Sequence, residues 1–286
     1  MIVSLPFAYN LSIAGVRLQV LSPLSLQFPD SFLPFLLPAS DSDAAPDWTV
    51  EVFFGTADLR AEEGDDWVFF PRKEGDPFIR MIPRDRPTLV RLGVPSDMRD
   101  KFRTNANWVM LLVPERLLLP HGRLILHASA VCQDGSAILF TAPSGGGKST
   151  QAALWADSFG SEIINGDKVI LAAEEIPPIA YGSPIAGSSG IYRNIQAPIR
   201  AIVYLHKSDT NYAEVVDAHR AYMILYSQIV KIDQDRLFNE ATLCLIEALA
   251  THVPVLDFYC TPTAEAAEYL RSRLTDTIQR KEESIS

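Results

Sequence analysis

The apolar positions of this chain change their spacing partway along. Up to residue 96 they come in short aromatic and β-branched runs, such as Trp48–Phe54 (WTVEVFF) and Trp67–Phe70 (WVFF). Clusters rich in Gly, Pro and Asp separate them (SDSDAAPD, EEGDD, KEGDP), which is turn chemistry between strands. Prolines 72, 77, 83, 87 and 95 exclude a long helix there. Beyond this, Ser96 is placed to cap a helix, with Asp97 and Asp100 in its first turn. That segment carries Phe102, Trp108, Met110, Leu111 and Leu112, and Pro114 divides it into two short helices.

From Arg123 strands and helices alternate. RLILHASAV and SAILFTA read as two strands joined at Asp134-Gly135, a strong hairpin signal. A loop over Ser144–Ser149 leads into the helix KSTQAALWADSF, where Trp155 is expected in the core. SEIIN, KVILAA, PIAYG and AIVYLH (201–206) read as strands, and two amphipathic helices follow over about 216–230 and 233–251. VPVLDFYC is a further strand. Thr261-Pro262 supplies an N-cap and first-turn proline for the last helix. The pattern predicts a β-rich N-terminal domain (1–96), a helical connector (97–120), a mixed α/β domain (121–280) and a frayed tail (281–286).

Composition narrows the function. The chain has 286 residues, 48% hydrophobic and 21% charged, which is enough for an ordinary core. Its net charge of -10 and the lack of any Lys/Arg block argue against nucleic acid as a partner. Cys132, Cys244 and Cys260 are widely spaced with no CxxC, so reduced thiols are expected rather than a disulfide or zinc framework. The first sixteen residues lack the basic residues of a signal peptide. The densest apolar zone, 108–126, is interrupted by Glu115, Arg116, His121 and Arg123 and falls short of the ~18 residues of a membrane span. A soluble, cytoplasmic protein without membrane contact is expected. His121, His206, His219 and His252 sit singly, without metal spacing, and are given structural roles.

The strongest chemical signal is Ala142-Pro-Ser-Gly-Gly-Gly-Lys-Ser149. It matches the phosphate-loop pattern GxxxxGK[ST] at Gly147, Lys148 and Ser149, with Ala142 at the first glycine position. A strand leads in and a helix leads out, as the motif requires. Ser144 and glycines 145–147 form a loop whose backbone folds close around phosphate oxygens, and its amides and the helix N-terminus bind anions. Lys148 reaches the β- and γ-phosphates, the Ser149 hydroxyl ligates Mg²⁺, and Thr150 adds a second hydroxyl. A plain Gly-rich helix cap explains the glycines but not Lys-Ser at these positions.

HGRLILHASAV, APSGGGKST and INGDKVIL, in this order, resemble the catalytic domain of the HPr serine kinase/phosphorylase family over about residues 118–275. That fold is related to ATP-dependent phosphoenolpyruvate carboxykinases. The N-terminal part is unlike that family's own N-terminal domain. The resemblance implies an α/β fold of the mixed α+β kind, with a mixed sheet, flanking helices and a tendency to form homo-oligomers. It implies that His127 matches an active-site histidine and that Asp167, in Asn165-Gly-Asp-Lys, matches the second of two paired aspartates. Gly166 stands where the first is expected. Either Asp167 alone serves metal and base, or the base comes from elsewhere, or transfer is lost.

Read from the residues alone, Asp167 follows an apolar strand and is placed to reach Mg²⁺ on Ser149, although NGDK is also a good hairpin turn. His127 is equally a buried, satisfied histidine. The loop GSPIAGSSGIYRN (182–194) suits a lid or anion site. Its Arg193 is either a charge stabiliser or an exposed loop arginine. Two functions follow. One is an ATP- and Mg²⁺-dependent kinase acting on a serine of a protein or peptide, with Lys148, Asp167, His127 and Arg193 in catalysis; phosphorylase or hydrolase activity at the same site is a variant of it. The other is an ATP-binding regulatory or assembly module without transfer.

Overall fold

The computed structural model describes residues 5–38, 44–55, 59, 62–106, 114–185, 187–230 and 236–283, without the side chains of 236–238 and 276–283. The chain divides into two compact units, Met1–His121 and Gly122–Ser286. Its class is mixed α/β, with two mixed sheets and flanking helices.

The first unit is a six-stranded sheet in the order β1-β2-β3-β6-β5-β4. The strands are β1 (Phe7–Ile13), β2 (Val16–Ser22), β3 (Trp48–Phe54), β4 (Asp66–Phe70), β5 (Phe78–Ile82) and β6 (Leu89–Val94). Ala14 and Gly15, both at positive φ, turn β1 back on β2. Strand alternation buries Val16, Leu18 and Val20 on β2 against Val50 and Val52 on β3 and Val90 and Leu92 on β6. The segment after residue 96 belongs to this unit. Its α1 (Arg99–Thr104) is tied in through Gln27, whose N–H donates to the Arg103 carbonyl at 2.8 Å. Its α2 (Pro114–Leu118) accepts a 3.1 Å bond from Trp48 Nε1 at the Leu117 carbonyl. Ser96 opens a short 3₁₀ turn instead of capping the helix, and Met98 takes the cap position without a side-chain bond. Trp108, Met110, Leu111 and Leu112 lie outside the described residues.

The second unit strings β7 (Arg123–Gln133), β8 (Ser136–Thr141), α3 (Lys148–Phe159), β9 (Glu162–Asn165), β10 (Lys168–Ala172), β11 (Ile179–Tyr181), β12 (Gln196–Lys207), β13 (Tyr212–Val215), α4 (Ala218–Gln228), α5 (Arg236–His252), β14 (Val255–Cys260) and α6 (Ala264–Glu283). Its sheet order is β11-β10-β7-β8-β12-β14-β13, with β9 paired to β7 beyond β10. Asp134-Gly135 makes the expected hairpin, both residues at positive φ. Strand β12 is longer than AIVYLH because its first residues pair with β11, and β13 is an edge strand that the apolar pattern does not announce. The last helix begins two residues after Thr261-Pro262, and the Thr263 carbonyl accepts from the Ala266 N–H.

Helices α3 and α6 cover one face of this sheet. Trp155, Ala152, Ala266 and Leu270 pack there on Phe140, Val203, Leu256 and Phe258. Helix α4 packs against β7, with an isolated bridge between Leu126 and Ile229. Strands β8, β12 and β14 are mutually parallel, so their C-terminal ends gather at one edge. Ligands of open α/β sheets bind at such an edge. Among the described residues no helix is long and apolar enough to cross a membrane.

One charge in the first unit is deeply buried. Arg80 is 1% exposed, bonds Asp66 through Nη2 at 3.2 Å, and leaves Nε and Nη1 without partners. Burial draws its pKa down while Asp66 opposes that shift. Removing the Asp66 charge strands the buried guanidinium, whereas removing Arg80 leaves Asp66, 32% exposed, still paired with Arg116 at 2.7 Å. Asp66→Asn is therefore expected to destabilise the chain by about 2–3 kcal/mol. Arg80→Met is expected to leave the urea midpoint unchanged or raise it, and urea titration of both variants checks the order.

Candidate phosphate-binding site

The loop between β8 and α3 takes the shape its residues demand. Gly145 (φ +75°) and Gly147 (φ +98°) occupy left-handed backbone, and no atom lies within 4 Å of where a Cβ would stand on either. Gly146 is required for a different reason. A Cβ there would lie 2.5 Å from the Ala142 Cβ and 3.0 Å from the Pro143 carbonyl oxygen. The Ala142 methyl is fully buried against this glycine, and Ala142 is not among the residues at positive φ. Alanine is therefore tolerated at the first motif position because the backbone there needs no glycine. Lys148 is buried, and its Nζ donates to the Ala142 carbonyl at 3.0 Å and the Pro143 carbonyl at 3.4 Å. Burial lowers its pKa, partly countered by the charge of Asp167. Ser149 and Thr150 lie exposed on the first turn of α3, where the leading amides of a helix have no intrahelical acceptor.

The second wall is built on β7. Strands β9 and β10 both run antiparallel to β7 along the same edge, with Asn165 opposite Ala130 and Lys168 opposite His127. NGDK is thus no hairpin turn but a break in one interrupted ladder. Asn165 Oδ1 bridges the break, accepting from the N–H groups of Asp167 (2.9 Å) and Lys168 (2.8 Å). Ala128 N–H donates to the Asp167 carbonyl at 3.0 Å, and Ser129 Oγ donates to the Gly166 carbonyl at 2.9 Å. The Asp167 carboxylate then lies 3.3 Å from His127 Nε2. Thr141, the last residue before the phosphate loop, donates its hydroxyl to the His127 carbonyl at 2.9 Å. Burial and the charges of Lys148 and Lys168 push the His127 pKa below its ordinary value, against the pull of Asp167.

The structure thus gathers Lys148, Asp167 and His127 around one loop. It does not bring Arg193 there. Arg193 is ion-paired with Glu162, at the opposite end of β9 from the Asp167 break. A guanidinium already satisfied by a carboxylate at that place is not aimed at the phosphate loop. Gly166 also acquires a reason. A Cβ on it would meet Ser189 Oγ at 1.9 Å, so no aspartate fits without moving the 187–190 turn.

A cleft of about 540 Å³ opens beside the loop, lined by Gly145–Gly147 and by residues that sequence reasoning missed, among them Gln151, Lys207, Asp209, Thr261 and Pro262. Gln151 projects from α3, and the others sit where the parallel strands β12 and β14 end. The signal that could have found them is the pair of apolar strands each followed by polar residues. His206, next to Lys207, is bonded to Asp257 at 2.7 Å, and Arg220 bonds the same carboxylate at 3.1 Å. Burial would raise the Asp257 carboxyl, but these two partners outweigh it and hold it below its ordinary value. This cluster ties β12 to β14.

Among the described residues no three His, Cys, Asp or Glu side chains converge as a metal cluster. Ser149 offers an exposed hydroxyl at the start of α3 and Asp167 a carboxylate beside β7, oxygen donors of the type Mg²⁺ takes together with water and phosphate oxygens.

No protein-family profile matches the chain, and no curated protein sequence does. Among solved structures, the HPr(Ser) kinase/phosphatase from Coxiella burnetii aligns at 16% identity and a TM-score of 0.33, covering 56% of this chain and 93% of that one.

Two outcomes are expected. Gly146→Ala pushes a methyl onto Ala142 and is expected to lower affinity for a nucleoside triphosphate at least about tenfold, whereas Ala142→Gly leaves it near the parent value; equilibrium dialysis measures both. Because folded His127 has a lowered pKa, the unfolded chain binds more protons between that value and 6.5. The stability contribution of neutral His127 is present above pH 6.5 and is lost as pH falls through the folded value. The urea midpoint is expected to drop on acidification from about pH 7.5 to about pH 5, and less steeply in His127→Gln.

Proposed function

We propose that this protein is an ATP- and Mg²⁺-dependent phosphotransferase that moves the γ-phosphate to a hydroxyl, with a serine of a protein or peptide as acceptor. The observation that carries the reading is the juxtaposition of a phosphate loop with the Asp167–His127 pair through the shared ladder of β7. In-line phosphoryl transfer needs mainly positioning and charge neutralisation, which a set this small supplies.

The loop amides and Lys148 hold the triphosphate, with Lys148 exchanging its two carbonyl partners for phosphate oxygens. Ser149 and Asp167 would hold Mg²⁺, which neutralises charge on the phosphates. Asp167 Oδ1 accepts the acceptor's hydroxyl proton or orients that hydroxyl. His127, kept neutral, positions the Asp167 carboxylate without adding a second positive charge beside Lys148. The nucleoside occupies the cleft between the loop and the ends of β12 and β14.

The test uses γ-labelled ATP, Mg²⁺, the purified chain and an extract of its source cell. Label is expected on one acceptor. Lys148→Ala is expected to lose both binding and transfer. Asp167→Asn is expected to keep ATP binding within about threefold and lose transfer by at least about 10²-fold. ATP binding without label on any species would leave a nucleotide-binding module and sink the kinase reading.

A further inference from the structure

The face of β7 that carries His127 is shared by a second lysine. Side chains alternate along a strand, so His127, Ser129 and Val131 leave β7 on one face. Val131 packs there in one core with Ala152 and Trp155 of α3, so the helix of the phosphate loop covers this face. On one side of β7, Thr141 pairs with Ala128, and Ala142, the next residue, begins the phosphate loop. On the other side, Lys168 stands directly opposite His127 in the antiparallel ladder. Directly opposed residues share a face and are near neighbours. Lys168 and the start of the loop are thus two strand spacings apart, about 10 Å, across His127. A lysine stem of four carbons spans a good part of that distance.

The backbone of Lys168 is fixed from both directions. Its N–H donates to Asn165 Oδ1 at 2.8 Å, and its carbonyl accepts from Ser183 Oγ at 2.6 Å. Its side chain is not held in this way. Lys168 is partly exposed, and among the described residues no carboxylate or other acceptor bonds its Nζ. The neighbouring Asp167 carboxylate is engaged by His127 instead. The Lys168 charge still reaches across the site. After burial and the Lys148 charge, it is what lowers the His127 pKa, and it adds to the burial that lowers that of Lys148. With His127 neutral, Lys148, Lys168 and Asp167 leave one positive charge in excess. Two ammoniums near each other with one carboxylate are a standing repulsion that an anion relieves.

We infer that Lys168 binds the γ-phosphoryl group together with Lys148 and stabilises its charge during transfer, a role for which Arg193, paired with Glu162, is not available. The inference rests on the phosphotransferase reading above. A bond forms between the acceptor oxygen and the γ-phosphorus of ATP while the bond from that phosphorus to the β,γ-bridging oxygen breaks. ADP leaves with the electron pair, and the acceptor's proton passes to Asp167 and then to solvent. Lys168 stays protonated throughout and donates to the oxygens of the group in flight. A fixed donor aimed at developing charge acts most strongly in the transition state. The β-phosphate lies with the loop amides and Lys148, so Lys168 distinguishes a triphosphate from a diphosphate.

The test compares the full parent chain with Lys168→Met and Lys168→Arg. Equilibrium dialysis with Mg²⁺ gives the affinities for ATP and for ADP, and γ-labelled ATP with source-cell extract gives transfer. Lys168→Met is expected to lose about tenfold in ATP affinity and to keep ADP affinity within about twofold. Its retained ADP binding also shows that the site still folds. Transfer by Lys168→Met is expected to fall at least about 10²-fold. Lys168→Arg keeps the charge and is expected to hold the parent's ratio of ATP to ADP affinity within about threefold. An unchanged ratio in Lys168→Met, the same change of ratio in Lys168→Arg, or transfer by Lys168→Met within about threefold of the parent overturns the inference. Each of these leaves the phosphotransferase reading intact, because the parent still transfers. Absent ATP binding by the parent, or binding without transfer to any species, overturns both.

Discussion

The candidate site depends on the hydrogen-bond ladder of a single strand. β7 spends one edge on β8 and divides the other between β10 and β9. Pairing with β8 fixes where the phosphate loop leaves the sheet. Pairing with β10 and β9 fixes where the opposite edge is interrupted. A backbone ladder has a two-residue side-chain period, so a slip of one residue would turn His127 to the other face. A slip would carry the polar Ser129 and Gln133, which share the face of Val131, to the face of the buried Leu124, Leu126, Ala128 and Ala130.

The interruption itself is held by hydrogen bonds more than by packing. Asn165 is fully buried, and its carboxamide works on both sides. Its oxygen takes two amides of the break and its nitrogen donates to the Ser183 carbonyl. A buried side-chain amide left unsatisfied is costly, so each of these bonds also enforces the others. Asp167 thereby stays at the sheet edge without regular strand pairing of its own. Gly182 closes the same corner, since a Cβ on it would stand 1.8 Å from the Arg193 carbonyl oxygen. The backbone of Arg193 thus packs closely on Gly182, while its side chain serves the ion pair with Glu162.

Much of this is legible in local signals of the sequence. The Asp134-Gly135 hairpin, the phosphate loop with its flanking strand and helix, and Trp155 in the core follow from turn chemistry, backbone steric demands and helical spacing. What stays hidden depends on partners distant in sequence. NGDK reads as a hairpin because its composition suits one; only the length of β7 shows that two strands lie end to end beside it. Ser96 and Thr261 are good caps by residue type, yet tertiary packing sets the helix starts elsewhere. Arg193 looks available in the linear chain because Glu162, thirty-one residues earlier, is invisible there as its partner. Lys207 and Asp209 carry no motif at all, and become neighbours of Thr261 only when β12 and β14 align in parallel.

The bonds that Lys148 makes within its own loop have a consequence for selectivity among anions. Its ammonium holds two carbonyl oxygens of the loop it serves, so it is not an unsatisfied cation waiting for any negative charge. An incoming ligand competes with an intramolecular solvent substitute. A lone inorganic phosphate offers one cluster of oxygens and must match both carbonyls unaided. On the phosphotransferase reading, a polyphosphate would displace them while drawing further attraction from the helix amides and the loop. Discrimination by chain length of the phosphate would then follow from the loop's hold on its own lysine.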